Sequence, residues 1–288
     1  VPFARYVNVG TANKNQSWMD APADVTTTSQ SCSKPIISQT CTTVPTTTTT
    51  TIDGVKVTTN GTKTTCTNIV YGEQVCKQVT STKTWKGCVL SRKNPLDTED
   101  TEPTKKYGGL IDYTCTNAIT TLMNDYTKLR AAIKAMATST GAGFNDTYIA
   151  PGVLWAWNTL SPTEPFTDGL SYDADVQKFI ILMTDGANTT ATAANATNGY
   201  YLHTLTPNAA ATITKADTLL STTCENAKKK NITIFTVGVG VAATDSTAIA
   251  LSKCASDEKK AILIEDSAKL VQVFEEIANQ ILVPRLTQ

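Results

Sequence analysis

Two oxygen-bearing side chains in this sequence could bind a hard metal ion. Asp185 directly follows the apolar run 178–183, and Thr147 lies in a glycine-containing loop before a predicted helix. The run is typical of a strand that is covered on both faces of a parallel sheet. Ligands bind such sheets at the carboxyl ends of the strands, and Mg²⁺ is coordinated by oxygen atoms. The pattern therefore predicts a site for Mg²⁺ or another divalent cation at Asp185 and Thr147.

Both residues also have simpler interpretations, which the sequence leaves open. Aspartate before a glycine, here Gly186, is common in the turns that end strands. A threonine in front of a helix commonly caps the helix. The metal site requires the two loops to converge at the carboxyl edge of the sheet.

The sequence contains few of the groups that catalysis needs. His203 is the single histidine, and it lies in a polar loop with no nucleophile-elbow motif nearby. No phosphate-binding P-loop motif occurs, and one histidine without a CxxC pair cannot complete a Cys/His zinc set. We therefore expect a binding protein rather than an enzyme. A hydrolase that uses the same strand-end edge is the enzymatic alternative.

The cysteines indicate an exported protein. An even number of cysteines, eight, is spread over a threonine-rich chain of low charge, which favours structural disulfides in an oxidising compartment. Eight buried thiols in a cytosolic protein are the alternative. Spacing along the chain favours local pairs, and we expect Cys32–Cys41, Cys66–Cys76, Cys88–Cys115 and Cys224–Cys254.

The charge and hydropathy of the chain limit its partners. The formal net charge is zero, from 25 basic and 25 acidic residues, whereas a nucleic-acid-binding protein needs a basic face. No apolar run approaches the roughly 18–20 residues that span a bilayer. The chain opens without Met or a leader segment, so we expect residue 1 to be internal to a longer product. Any membrane anchor is expected upstream of Val1.

The residues after about 116 alternate between helix and strand patterns. Apolar residues on one helix face predict helices near 117–137 and 267–281. Composition predicts a further helix at 209–230, and shorter helices are expected near 153–160 and 247–254. Continuous apolar, β-branched runs predict strands near 178–183, 232–238 and 261–264. Such alternation is typical of a mainly parallel, doubly wound α/β sheet with helices on both sides.

Residues 21–86 have a different character. A threonine run at 46–51 is followed by Asp53-Gly54 and Asn60-Gly61, which are strong signals for two-residue hairpin turns between β-branched stretches. Tyr71-Gly72 indicates a further turn. We therefore predict a small antiparallel β-meander held by disulfides. A disordered, mucin-like linker is the alternative.

Several segments resemble known families. The run 181–186 resembles the third metal-site loop of von Willebrand factor A domains, and 146–149 resembles their second loop. More narrowly, 147–162 resembles the TadE/TadG family of tight-adherence (Tad) pilus assembly proteins, as do 1–9, 85–89 and 274–287. The most specific part is Trp155-Ala-Trp157 followed by Leu160-Ser161-Pro162. The resemblance covers most of the chain except 21–86 and 189–207.

The resemblance implies a doubly wound, mainly parallel α/β fold of the von Willebrand factor A type whose first strand and helix lie upstream. Residues 1–20 and 87–288 would form this domain, and 21–86 would be an inserted disulfide-linked β-meander. The first metal loop of the family, Asp-x-Ser-x-Ser, is absent from the chain and is expected upstream of Val1. Asp185 and Thr147 alone would then hold Mg²⁺ only loosely.

The function that the resemblance implies is a non-enzymatic adhesion or assembly subunit of a bacterial Tad-type pilus. Such a subunit is extracellular, at the cell surface or periplasmic. It binds protein partners of the pilus or cell surface at the carboxyl edge of the sheet, with possible assembly into a larger complex. The alternative is a structural subunit of the cell envelope or of a filament with a degenerate metal site.

Overall fold

The computed structural model describes residues 7–52, 55–101, 106–111, 117–136, 147–188, 200–201 and 210–282. The chain divides into two compact units, Val25–Lys83 and a larger unit made of Val1–Asp24 with Thr84–Gln288. The sequence pattern placed the corresponding boundaries at 21 and 86.

The described residues form thirteen β-strands and five α-helices. The strands are β1 (Val7–Asn8), β2 (Met19–Asp20), β3 (Val25–Ser33), β4 (Ile36–Ile52), β5 (Val55–Tyr71), β6 (Val75–Lys83), β7 (Trp85–Val89), β8 (Ser91–Arg92), β9 (Tyr107–Ile111), β10 (Lys178–Thr184), β11 (Tyr200–Tyr201), β12 (Ile232–Val239) and β13 (Ala261–Ile264). The helices are α1 (Tyr126–Ala135), α2 (Ile149–Leu160), α3 (Ala210–Lys228), α4 (Ser246–Cys254) and α5 (Leu270–Leu282).

A three-stranded parallel sheet of order β10-β12-β13 forms one core of the larger unit. Alternate side chains point to opposite faces of a strand. Both faces of β12 are covered, whereas on the second face of β10 Ile181 is 39% exposed. Ile180 and Ile234 pack with buried residues of α2, α3 and α4 on one face. Phe235 and Val237 pack with Val273 and other residues of α5 on the other. This double burial explains why β12 is a nearly continuous apolar run.

A second core is aromatic and lies beside a small sheet of order β1-β7-β9-β2. Trp155 of α2 packs against Tyr107, with ring centroids 4.7 Å apart, and against Phe166 at 5.9 Å. Trp18 contacts all three rings. Two positions along α2, Trp157 faces the core of the parallel sheet instead. Helix α2 is therefore shared by both cores.

The expected doubly wound, mainly parallel fold of the von Willebrand factor A type is wrong. Most described strands lie in small antiparallel sheets, and the parallel sheet has only three strands. Parallel pairing needs a crossover of a dozen or more residues, usually through a helix. No described residue before Tyr126 is in an α-helix. The strands of the first half therefore pair mostly with antiparallel neighbours, apart from a two-residue parallel contact between β2 and β9.

Most helices and strands of the second half lie close to their predicted positions, although α2 begins at Ile149 rather than near 153 and the two-residue strand β11 was not predicted. The helix predicted at 117–137 is only α1, Tyr126–Ala135. Asp125 begins it by accepting hydrogen bonds from the backbone N–H groups of Thr127 and Lys128, at 3.1 and 3.0 Å. Ile119 instead donates its N–H to the Asn8 carbonyl at 2.8 Å and packs on the aromatic core. None of the described helices combines the length and hydropathy needed to cross a bilayer.

The smaller unit, Val25–Lys83, is a two-stranded antiparallel ribbon rather than a meander. Strand β4 pairs with β5, and β3 pairs with β6, so each outgoing strand pairs with a returning strand. The 17-residue strand β4 has a length of about 56 Å at about 3.3 Å per residue. Every residue of β3 and β6 is exposed. The ribbon therefore has no apolar core of its own.

The hairpin signal at Asp53-Gly54 lies outside the described residues. The residues that flank it, Ile52 and Val55, pair with each other. The turn predicted at Asn60-Gly61 is wrong, because both residues lie inside β5, opposite Thr47 and Thr46. Cross-strand threonines continue the pairing past this point and leave no break in the ladder.

The same register corrects two expected disulfides. Cys32 bonds Cys76 and Cys41 bonds Cys66, in place of Cys32–Cys41 and Cys66–Cys76. Each bonded pair stands directly opposite across the ribbon. Pairing followed the strand register rather than nearness along the chain.

In the larger unit, the expected Cys224–Cys254 bond is confirmed. It joins α3 to the last residue of α4, and both sulfurs are fully buried. Cys88 is also disulfide-bonded, and its expected partner Cys115 lies outside the described residues. The disulfides indicate an exported protein, because such bonds persist in oxidising compartments.

Removing the bond between Cys41 and Cys66 should loosen the ribbon selectively. A two-stranded ribbon without a core is marginal by itself, and a loop of this length gains about 3–4 kcal/mol from its bridge. In a Cys41→Ser, Cys66→Ser variant, we expect the amides of β4 and β5 to exchange hydrogen much faster than in the natural chain. Amides of β10 and β12 serve as the internal control. Equal acceleration in both units would contradict a ribbon that depends on its own cross-links.

Candidate functional site

The carboxyl end of β10 carries the predicted site residue Asp185. Thr184, the last residue of the strand, is buried and its hydroxyl donates to the Gly186 carbonyl at 2.9 Å. This local bond closes the turn and leaves Asp185 exposed at its tip. Gly186 has no positive φ, and a Cβ built on it would meet open space. The turn therefore does not require glycine there.

Asn188, three residues beyond Asp185, is fully buried and joins three helices. Its Oδ1 accepts the backbone N–H of Ile149, the first residue of α2, at 2.9 Å. Its Nδ2 donates to Oδ1 of Asp217 on α3 at 2.7 Å. Its backbone N–H donates to the Thr247 hydroxyl on α4 at 3.4 Å. The buried residue Asn188 thus holds the loop after β10 in place.

The hydrogen bond between Asn188 and Ile149 caps helix α2, although Asn188 is 39 residues away along the chain. Tyr148 occupies the N-cap position of α2 and makes no side-chain capping bond. The first N–H groups of a helix need partners from outside the helix, and Asn188 supplies one. Thr147 therefore does not occupy the N-cap position that one interpretation of the sequence gave it.

Thr147 and Asp185 lie on the two loops that this hydrogen bond joins. Thr147 is half-buried and two residues before Ile149, and Asp185 is three residues before Asn188. The two loops therefore meet at one end of β10. That Asp185 and Thr147 share a cation stays a prediction, as do the ligands expected upstream of Val1.

The oxygen donors near Asn188 have the right chemistry for a hard cation but are few. Asp217 is buried, and its Oδ2 has no hydrogen-bond partner in the described part of the chain. Among the described residues, no group of three or more His, Cys, Asp or Glu could hold a metal ion together. The described residues therefore do not form a complete cation site, and Mg²⁺ would need further ligands or several waters.

Sequence reasoning missed Asn188. Its helix partners are 39 and 29 residues away along the chain. A polar amide shortly after a buried strand was the available signal. His203, which a catalytic alternative would need, lies outside the described residues.

A second buried polar cluster lies around Arg92, far from the predicted site in sequence. The Arg92 guanidinium is 1% exposed and lies 4.4 Å from the centre of the Tyr107 ring. It donates to the carbonyls of Glu99 and Thr101, at 3.3 and 3.4 Å. The Tyr172 hydroxyl donates to Asp100 within the same cluster. These bonds fasten the acidic loop 97–101 onto the larger unit.

The carboxyl groups of this loop carry perturbed pKa values. Burial raises the pKa of Asp97 above its ordinary value of 3.8, against the opposing effects of hydrogen bonds and of the nearby Lys215 and Arg92 charges. Burial likewise raises the pKa of Asp100. The pKa of the Tyr172 hydroxyl is raised by burial and by its hydrogen bond to Asp100. The cluster thus holds acids in a medium that disfavours their charged forms.

Replacing Asn188 should destabilise the larger unit. In Asn188→Ala, the Ile149 N–H and the Asp217 carboxylate lose their buried partner, which we expect to cost about 3 kcal/mol in the free energy of unfolding. Urea denaturation followed by tryptophan fluorescence measures this. Asp185→Ala is the matched control, since an exposed substitution changes stability by about 0.5 kcal/mol or less. Equal losses in both variants would refute the role of Asn188.

The buried Asp97 should make stability depend on pH in a defined direction. Its folded-state pKa is raised, so its stabilising contribution is complete below about 3.8 and is lost as the pH rises through the raised pKa. The unfolding free energy of the natural chain, relative to Asp97→Asn, should therefore increase as the pH falls from 7 to about 4. Denaturation at several pH values tests this, with the exposed Asp175→Asn as the control. A difference that shrinks on acidification would contradict the assignment.

Comparisons with known proteins establish no family for the chain. No family model and no curated protein matches it. Among solved structures, it is similar to the crystal structure of the pilus adhesin SpaC from Lactobacillus rhamnosus GG, with 16% sequence identity and a TM-score of 0.38. The match covers 55% of this chain and 21% of that chain, so the chain spans about a fifth of that protein's length. A TM-score this low carries no argument, and the TadE/TadG resemblance stays a prediction.

Proposed function

We propose that this protein is a non-enzymatic adhesion or assembly subunit of a bacterial surface structure, of the Tad pilus type, which acts by binding other proteins. The observation that carries the proposal is the smaller unit. It is an exposed, threonine-rich ribbon stabilised by two cross-strand disulfides and by hydroxyl pairs instead of a core.

The chemistry of the ribbon supports a role outside the cytoplasm. Its two disulfides require an oxidising compartment to persist. The hydroxyl of Thr43 lies 2.8 Å from that of Thr64, and Thr26 lies 3.2 Å from Thr82. Hydroxyl pairs of this kind stabilise a solvent-exposed strand pair without adding apolar surface. A chain that maintains such an extended exposed surface suits recognition better than it suits catalysis.

The second element of the proposal is the loop that ends at Asn188. The carboxylate of Asp185 is exposed, while a local hydrogen bond joins its neighbours Thr184 and Gly186, and Asn188, three residues on, is held by buried hydrogen bonds. A charged group at the tip of an immobilised loop loses little conformational entropy when a partner binds. We assign Asp185 the role of contacting a protein partner, directly or through a divalent cation that Thr147 helps to hold. The chain alone should then show little Mg²⁺ affinity.

The Tad assignment within this proposal depends on residues rather than on the comparisons. The segment Trp155-Ala-Trp157 with Ser161 is the specific part of the resemblance. Both tryptophans are nearly fully buried. They support the resemblance to the TadE/TadG family only as a sequence pattern. In the fold, both side chains pack in the cores.

Substitution of Asp185 tests the proposed function. Cells of the source organism that carry Asp185→Asn in place of the natural chain should adhere several-fold less to surfaces and to one another. Asp175→Asn is the matched control, because Asp175 is an exposed acid just before the amino end of the same strand. Secretion of both variants is checked by immunoblot of the cell surface.

The outcomes separate the two candidate functions. Loss of adherence in Asp185→Asn alone, at normal surface level, supports a recognition site at this loop. Unchanged adherence in both variants would overturn the site and favour a structural envelope or filament subunit. Calorimetric titration of the chain with Mg²⁺ tells whether Asp185 and Thr147 hold a cation by themselves. Heat that Asp185→Asn abolishes would show that they do, whereas we expect little heat, because two protein ligands hold Mg²⁺ only loosely.

A further inference from the structure

The two edges of the ribbon differ in charge. The outgoing strands β3 and β4 contain no charged residue, whereas the returning strands β5 and β6 carry four lysines, Lys56, Lys63, Lys77 and Lys83. Lysine on an edge strand discourages pairing with another chain. Among the described strands, β4 has β5 as its one neighbour. The ribbon therefore has one protected edge and one unprotected edge.

The register identifies which backbone groups of β4 face outward. In an antiparallel pair, hydrogen-bonded and non-hydrogen-bonded residue pairs alternate, and the non-hydrogen-bonded pairs have the shorter Cα separation, about 4.5 Å. Cys41 and Cys66 have a Cα separation of 4.0 Å, which makes them a non-hydrogen-bonded pair. With no register shift beyond Thr40, the backbone groups of Thr47, Thr49 and Thr51 also point away from β5.

The position of Pro45 independently indicates which backbone groups of β4 face away from β5. Proline has no N–H, so within a sheet it stands where that group would face away from the partner strand. Pro45 pairs with Thr62 in unbroken register and has the same parity as Thr47 and Thr49. Beyond Pro45, the run Thr46–Thr51 contains no proline, no charge and no bulge. It is a short strand edge with high β-propensity and free of the devices that block pairing.

We propose that this edge pairs with the same edge of a second copy of the chain. An antiparallel, two-fold symmetric arrangement places Thr49 opposite Thr49 of the other copy, and Thr47 opposite Thr51. All of these residues have outward-facing backbone groups, so each opposed pair exchanges two N–H···O bonds. The result is a four-stranded sheet with an isologous interface, in which Pro45 limits the paired segment at each end.

A second copy fits this edge better than a different strand does. Thr49 already lies opposite Thr58 within the ribbon, with the two hydroxyls 3.4 Å apart. Thr49 opposite Thr49 again places threonine against threonine, now as a hydrogen-bonded pair. The symmetric arrangement also leaves the lysines of β5 and β6 on the two outermost strands, where they do not face each other. The surface is distinct from the Asp185 loop, so the inference goes beyond the proposed function and its failure leaves that function untouched.

Matched proline variants test the pairing. Thr49→Pro removes an outward N–H at the centre of the interface without removing a bond between β4 and β5. Thr58→Pro makes the same change in the residue opposite Thr49, on the lysine-bearing strand β5. Sedimentation velocity of the natural chain should show dimers at high protein concentration. We expect Thr49→Pro to weaken the dimer by about tenfold or more, and Thr58→Pro to leave it unchanged.

Amide hydrogen exchange on the natural chain provides a second readout that needs no variant. Protection of Thr47, Thr49 and Thr51 should increase with protein concentration, whereas that of Thr58 and Asn60 should not. A chain that stays monomeric at all concentrations overturns the proposal. A dimer that both proline variants weaken equally, or that protects β5 instead, also overturns it.

Discussion

The side-chain amide of Asn188 is the interaction on which the arrangement of the larger unit depends. Its two ends are used at once, one accepting from Ile149 and the other donating to Asp217. Helix α2 has no side-chain cap of its own, so its first turn is positioned by this residue. Because α2 contributes Trp157 to the core of the parallel sheet and Trp155 to the aromatic core, this buried amide anchors the start of the helix that both cores share.

The two units are stabilised by different physics. The larger unit buries apolar side chains on both faces of its parallel sheet, which is the dominant favourable term in folding. The ribbon buries almost nothing, and must offset the cost of ordering its backbone by other means. Covalent bridges lower the entropy of its unfolded state, and paired hydroxyls add small increments at successive rungs. Threonine suits this design because its branched side chain favours the extended backbone and remains soluble.

Local patterns in the sequence predicted individual elements well and their assembly poorly. The apolar runs of β10 and β12 and the periodic face of α5 are visible within a window of a few residues, and the structure places them there. Strand pairing in the first half is non-local, so neither the sheets nor the bonds Cys32–Cys76 and Cys41–Cys66 could be derived from spacing. At the site, Asp185 was identifiable as the end of a strand. Asn188 was not, because its partners become neighbours only in the folded chain.

The bond between Cys32 and Cys76 has a mechanical consequence. The chain enters the ribbon at Val25 and leaves it at Lys83, which stand opposite each other in the register. Tension applied along the chain reaches this covalent link after peeling apart the seven residue pairs from Val25–Lys83 to Ser31–Lys77. The force then passes from Cys32 directly to Cys76, across a sequence separation of 44 residues. All of β4 and β5 is therefore shielded from load, and these two strands stay paired under a pull strong enough to stretch the polypeptide on either side of the bond.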